Sequence, residues 1–181
     1  MHSYKFTETE LKALIKILVI LADTREQVNM HVVSTFTKQG LTVRSRALNA
    51  GDYSVMLPSK PDLGILRDTW LDSLIWVERK ASLEELAGNL AQGRERFENE
   101  MLRSNGAEKH LVVEDGSWER IINGDYVSGL KPKSFYNSLL SFKNKYGLHI
   151  HFVPKSLAGF HIPSILTTFV KNYLKGVHKC E

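Results

Sequence analysis

Six consecutive apolar residues, Ile17 to Ala22, most constrain how this chain can fold. Nothing in the run can face water on either side, yet it is far shorter than the roughly 20 residues of a membrane-spanning helix. A strand covered on both faces satisfies it, so the expectation is a sheet with a layer on each side. Extended back to Ala13, the apolar stretch is interrupted by Lys16 and still falls short of a membrane span, so no membrane association is expected. Asp23 closes the run.

Punctuation around that strand sorts the rest of the chain. Thr7 to Lys16 reads as a short leading helix. Gln27 to Gln39 places Val28, Val32, Val33 and Phe36 on one side, with Gly40 as a helix stop. Leu41 to Leu48 and Tyr53 to Leu57 are strand-like, and Asn49, Ala50 and Gly51 between them predict a hairpin. Pro58 to Thr69 is rich in loop residues, and Leu71 to Glu78 reads as a strand running into the triplet Glu78, Arg79, Lys80.

Ser82 with Glu85 has the spacing of a capping box, which predicts a helix from Leu83 to about Arg103 with Leu83, Leu86, Leu90, Phe97 and Met101 on one face. His110 to Glu114 then reads as a strand, Ser134 to Tyr146 as a helix, His149 to Val153 as a strand and Pro163 to Leu174 as a final helix. Alternating strands and helices favour parallel crossovers, so the fold class is α/β, a mixed central sheet flanked by helices on both faces. No repeat or linker divides the 181 residues, and they are read as one domain with a core over about 17–153 and a final helix over about 163–174.

Composition narrows the classes of function. With 43% hydrophobic and 24% charged residues the chain is neither disordered nor fibrous. The N-terminal MHSYKFTETE lacks the features of a secretory signal, which points to an intracellular setting, cytoplasmic if the source is prokaryotic or phage. The single cysteine, Cys180, has no partner for a disulfide or a cysteine-built zinc site. From Lys131 onward there are eight lysines and one acid, a segment of charge +7 in a chain of net +4. A basic segment beside an acidic remainder suits a protein that holds a polyanion near carboxylate-bound metal, although a solvated lysine-rich surface is the commoner explanation.

Acidic or ionic clusters fall at expected strand ends: Asp23 with Arg25 and Glu26, Asp52 after Gly51, and Glu78-Arg79-Lys80. Carboxylates from the ends of neighbouring strands can converge on a hard divalent cation such as Mg²⁺. Asp52 and Glu78 are the natural pair. Side chains two apart on a strand share a face, so Glu78 and Lys80 lie together while Arg79 points away. Glu78 can then ligate the metal while Lys80 orients or polarises the attacking water.

An acid, a long gap and then acid-x-Lys resembles the restriction-endonuclease-like superfamily. Ala22-Asp23-Thr24-Arg25-Glu26, Ala50-Gly51-Asp52-Tyr53, Val77-Glu78-Arg79-Lys80 and Gly93-Arg94, in that order and with the Leu111-Val112-Val113-Glu114 strand, look like the signatures of the XPF-type nuclease family over about residues 17–153. The resemblance implies Mg²⁺- or Mn²⁺-dependent hydrolysis of DNA, branched or at single-strand/double-strand junctions, by a domain that often works as a homodimer. It implies Asp52 and Glu78 as metal ligands, Lys80 as the catalytic lysine, Asp23 as a further active-site acid and Arg79 as a supporting cation. Arg25 and Arg94 become phosphate contacts, with Lys131 and Lys133 beginning a non-specific phosphate-binding surface.

Two departures stand beside this. Ala81 looks like an extra residue, so either Glu84 or Glu85 can be the fifth acid, and a tandem helix-hairpin-helix module has no room in the chain. Because the family includes partners without a working site, the alternative is a non-catalytic DNA-binding or dimerisation subunit, although such partners lose the acids. His149 and His151 share a strand face but form an incomplete metal set, more in keeping with surface or interface histidines. Trp76 reads as core, whereas Trp70, in the long loop, is the better candidate to stack on an unpaired base; Trp118 is the third tryptophan. The apolar positions Ile162, Ile165, Leu166, Phe169 and Leu174 serve either a dimer face or the core.

Overall fold

The computed structural model describes residues 6–26 and 29–176. Its elements are α1 (Glu8–Lys16), β1 (Val19–Ala22), α2 (Met30–Lys38), β2 (Thr42–Ser45), β3 (Tyr53–Leu57), β4 (Thr69–Trp70), β5 (Ile75–Lys80), α3 (Leu83–Ala91), α4 (Arg94–Arg103), β6 (Glu108–Glu114), α5 (Trp118–Asn123), α6 (Pro132–Tyr146), β7 (Leu148–Val153) and α7 (Lys155–Leu174). The strands form a mixed sheet in the order β2-β1-β3-β5-β6-β7, with β4 beside β3. Pairing is antiparallel between β1 and β3 and between β3 and β5, and parallel elsewhere along that order.

Every residue of β1 is buried, as its apolar run requires. On one face Ile20, Val55, Val77 and Val112 pack with residues of α1, α2 and α7. On the other, Trp76, Leu111 and Val113 pack with residues of α3 to α6. The expected α/β sheet with helices on both faces is thus present, and Trp76 is core, fully buried.

Several local expectations are corrected. The predicted hairpin does not form: β2 and β3 both pair with β1, on its opposite sides. Asp23 is the reason, because its carboxylate accepts from the Leu48 N–H at 2.7 Å while the Arg46 N–H donates to the Ala22 carbonyl at 2.9 Å, holding the segment after β2 against the end of β1. The long helix after Ser82 is two helices, broken at Gly93, where a Cβ would sit 3.2 Å from the Asn89 Cα. Ser82 does cap α3 by accepting from the Glu85 N–H, but the Glu85 carboxylate takes the Ala81 N–H, so the reciprocal half of the capping box is not made.

The final helix begins at Lys155, and Pro163 lies inside it. Proline there leaves the carbonyl four residues back without its helical donor, and the Gln39 Nε2 supplies one, donating to the Gly159 carbonyl at 2.9 Å. Glycine is required at 159 because a Cβ would come 2.6 Å from Thr35 on α2. Ile162, Leu166, Phe169 and Leu174 are buried against this chain's own sheet and helices, with Ile165 packed partly buried beside them. That covers the apolar face offered as a dimer surface. The helix expected from Gln27 begins at Met30, and Gln27, Val28 and Cys180 lie outside the described residues. Sequence patterning missed the short α5 and β4 altogether.

Candidate active site

The antiparallel register pairs Tyr53 with Val77, which places Asp52 beside Glu78 on the face opposite those two. Gly51 makes the turn into β3 with φ 71°, and a Cβ on it would lie 2.8 Å from the Trp76 ring, so glycine is needed twice over. The Asp52 N–H donates to the Val77 carbonyl at 2.9 Å, and the Asp52 carbonyl accepts from the Asp23 N–H at 2.8 Å. Its carboxylate accepts from the Arg79 N–H at 2.7 Å. It is therefore the backbone of Arg79, not its guanidinium, that reaches this acid.

Burial, then the neighbouring Glu78, raises the Asp52 pKa well above the usual carboxylate range. Glu78 is 7% exposed, and burial is also the main reason its pKa is raised, with Lys80 pulling it down and Glu100 pushing it up. Lys80 Nζ lies 2.5 Å from Glu78 Oε1 and 3.5 Å from Glu85 Oε1. Burial works against the Lys80 ammonium, but Glu78 and Asp52 outweigh it and hold the lysine more firmly protonated than usual. Asp52 and Glu78 thus share the one lysine that sits with them.

Among the described residues no group of three or more histidine, cysteine, aspartate or glutamate side chains is arranged to hold a metal. Two convergent, partly frustrated carboxylates nevertheless fit Mg²⁺ or Mn²⁺, since Mg²⁺ keeps several waters and is commonly bound by one or two carboxylates together with substrate phosphate. Zinc, which prefers closed nitrogen and sulfur sets, finds no such set here.

The other expected residues surround this centre at different distances. The Asp23 carboxylate is occupied by the Arg25 guanidinium and N–H and the Leu48 N–H, which keep its pKa low against burial. Arg25 also donates to the Leu48 carbonyl at 2.9 Å and feels the charges of Glu100 and Asp52, so it stands at the rim of the site. Glu85, not Glu84, adjoins Lys80; Glu84 instead accepts from the Val127 N–H. The guanidinium of Arg79 lies on the opposite face of β5, bound to Glu114 and Glu26. Arg94 is turned to Ser138, Glu98 and the Phe142 ring, while Lys131 and Lys133 are exposed at the start of α6.

Sequence reasoning passed over Glu100, whose carboxylate accepts from the Gly51 N–H at 2.9 Å. Its place on the flank of the Phe97 and Met101 stripe of α4 is the signal that could have found it, since that stripe faces the sheet. It named Glu114 only as a strand residue and passed over His31; the two complete the Arg79 cluster, with His31 Nε2 2.7 Å from Glu114 Oε1. His149 and His151 join His110 and His161: His110 Nδ1 lies 2.9 Å from His151 Nε2, His161 Nε2 lies 3.1 Å from His151 Nδ1, and the His110 and His149 rings stack.

The model of a known family, the ERCC4 domain, matches residues 22–161. The chain belongs to the ERCC4 domain family. Its fold is similar to that of XPF from Aeropyrum pernix, with a TM-score of 0.58 at 22% identity over 82% of this chain and 65% of that one. The structure of XPF from Aeropyrum pernix in complex with DNA gives a TM-score of 0.59 at 20% identity, covering 86% of this chain and 66% of that one. This ERCC4-family chain thus spans about two thirds of the length of those XPF chains. No curated protein matches it. Among the described residues, no helix is long and apolar enough to cross a membrane.

Proposed function

We propose that this chain is an endonuclease domain that hydrolyses DNA phosphodiester bonds with Mg²⁺ or Mn²⁺, at branched or single-strand/double-strand junctions. The observation that carries the reading is the placement of Asp52 and Glu78 side by side, both raised in pKa by burial, with Lys80 on the same face. A bound divalent ion would supply Lewis acidity and lower the pKa of a bound water.

The chain's own residues do the remaining work. Asp52 and Glu78 would hold the ion, and the Arg79 N–H fixes the Asp52 carboxylate in place before it arrives. Lys80, kept protonated by its acidic neighbours, is set to donate to the attacking water or to a phosphate oxygen as negative charge grows there. Glu85 holds the lysine from the solvent side, which gives it the part of the fifth acid. Asp23 acts as a positioning residue: it ties Arg25 and the segment at Leu48 to the end of β1, and Arg25 is then placed to meet phosphate. Arg94, Lys131 and Lys133 would serve as outlying phosphate contacts, with affinity but no sequence preference. A homodimer rests on the family alone, and sedimentation of the purified protein at micromolar concentration tests it.

The deciding experiment is cleavage of a labelled panel of flaps, forks, junctions and plain duplex with Mg²⁺ or Mn²⁺, and again with EDTA. Branched substrates should be cut with metal and spared without it, and Glu78→Ala and Lys80→Ala should abolish cutting. Wild-type cutting by either variant sinks the assignment. Binding of forks without any cutting would instead make the chain a non-catalytic subunit.

A further inference from the structure

The face of the sheet that carries Asp52 and Glu78 continues beyond them. Along β3 the pleat presents the buried Ser54 and then Met56, which pairs with Val19 of β1 and Trp70 of β4. Across β1, Leu21 pairs with Arg44, and Arg46 follows two residues later on the same side. The helices α3 to α6 cover this face only over the other half of the sheet. Here Val19, Leu21, Leu48 and Met56 form a small cluster to which no helix contributes, with Trp70 packed on it. Arg46 lies over the Trp70 ring, its Cζ 3.9 Å from the centroid, and Arg44 stands 5.9 Å from the same ring.

The charges on this surface are barely compensated. Arg46 has Asp72 at 3.6 Å. Arg44 is exposed and donates only to the Met56 thioether at 3.9 Å; among the described residues no carboxylate pairs with it. Arg46 thus sits over an aromatic ring and Arg44 beside the same ring and a thioether, with most of their N–H donors left for a ligand. Planar donors of this kind suit phosphate, and a guanidinium plane backed by an indole suits a nucleobase. A base paired within a duplex cannot present its face to such a plate, whereas an unpaired one can. From Met56 to Asp52 is four residues of extended strand, about 14 Å, or roughly four stacked nucleotides.

We propose that the face formed by β2, β1 and β3 is a track for single-stranded DNA leading to the Asp52–Glu78 site. Arg44 and Arg46 engage the phosphates, and the plate of Arg46 on Trp70 receives an unpaired base. Trp70 is here a positioning residue, acting through the guanidinium that it supports. The track deepens the nuclease reading and rests on it only for where the strand is led.

The test is binding rather than cleavage. Fluorescence anisotropy with labelled oligo-dT and with a blunt duplex of equal length, in EDTA over a series of salt concentrations, compares the wild type with Arg44→Ala/Arg46→Ala. The double variant should bind oligo-dT about ten- to a hundredfold more weakly, with the slope of log affinity against log salt reduced by about 1.4, and the duplex should change far less. Trp70→Ala should lose about tenfold and Trp70→Phe much less. Should the alanine variants unfold, Arg44→Lys/Arg46→Lys serves in their place: it should keep the salt slope but lose several-fold in affinity, because lysine carries the charge without the plane. Unchanged oligo-dT affinity in the double variant, an equal loss on duplex, or full affinity in the lysine variant overturns the track. A wild type that cuts nothing, while the double variant still loses oligo-dT, would sink the nuclease reading and leave the track standing.

Discussion

Two faces of one strand, β5, handle buried charge in opposite ways. On one face Arg79 meets Glu114, Glu26 and His31, and every charge has an opposite beside it; Glu114, fully buried, has its pKa lowered against burial by Arg79 and then His31. On the other, Glu78 and Asp52 crowd together with one lysine between them, and both acids are raised in pKa, first by burial. The residues at the centre of each cluster, Glu78, Arg79 and Lys80, are neighbours in sequence and all buried. Completeness of pairing therefore separates the Arg79 cluster from the one proposed to hold a cation.

The largest expected effect tests the satisfied face. Arg79→Met leaves Glu114 buried without its guanidinium and should lower the unfolding free energy by about 3–5 kcal/mol in urea denaturation. A loss below about 1 kcal/mol would show that the cluster is not structural. Asp52→Asn sharpens the contrast from the other face: cleavage should fall by about 10²–10³-fold, while stability stays level or rises by about 1 kcal/mol because a like charge has gone. If Asp52→Asn destabilised as much as Arg79→Met, the two faces would not differ in kind.

A smaller effect concerns the cation itself. At ten times its dissociation constant, Mg²⁺ should stabilise the wild type by about 1.4 kcal/mol in the same denaturation assay, and Asp52→Asn/Glu78→Gln should lose that gain. Equal stabilisation of both would place the ion elsewhere. The smallest effect lies further along the Arg79 face, where His110, His151 and His161 form a row beside Glu108 and His149. Burial first, then His110 and His161, lowers the pKa of His151 from 6.5 to about 4. Protons therefore favour the unfolded chain below pH 6.5, and stability should decline as the pH falls from 6.5 towards 4. His151→Gln should flatten that decline; an identical pH profile would show that the row does not matter.

Much of this was legible in the sequence, for reasons that differ residue by residue. The run from Ile17 to Ala22 demanded a doubly covered strand because hydrophobic burial is insensitive to detail. The alternation of Glu78, Arg79 and Lys80 placed the acid and lysine together because strand pleating leaves no other choice. What escaped notice depends on long-range pairing. The route of β2 follows from Asp23 gripping Leu48, a contact that no local pattern announces. Pro163 reads locally as a helix start, and only Gln39, from a distant helix, makes an interior place tolerable. Glu100 reaches Gly51 from α4, the second of the two helices that meet at Gly93, a contact 49 residues apart in sequence.

The charge order of the β5 triplet also guards against misfolding. Sliding that strand by a single position would reverse every side chain, pressing Glu78 or Lys80 into the socket that Arg79 fills against Glu114 and Glu26. An acid there would meet two others, and a lysine could not match the fork of contacts that a guanidinium makes. The acids proposed to bind metal are thereby protected from a shifted alignment by the cation between them, and correct assembly of the sheet and assembly of the reactive centre become one event.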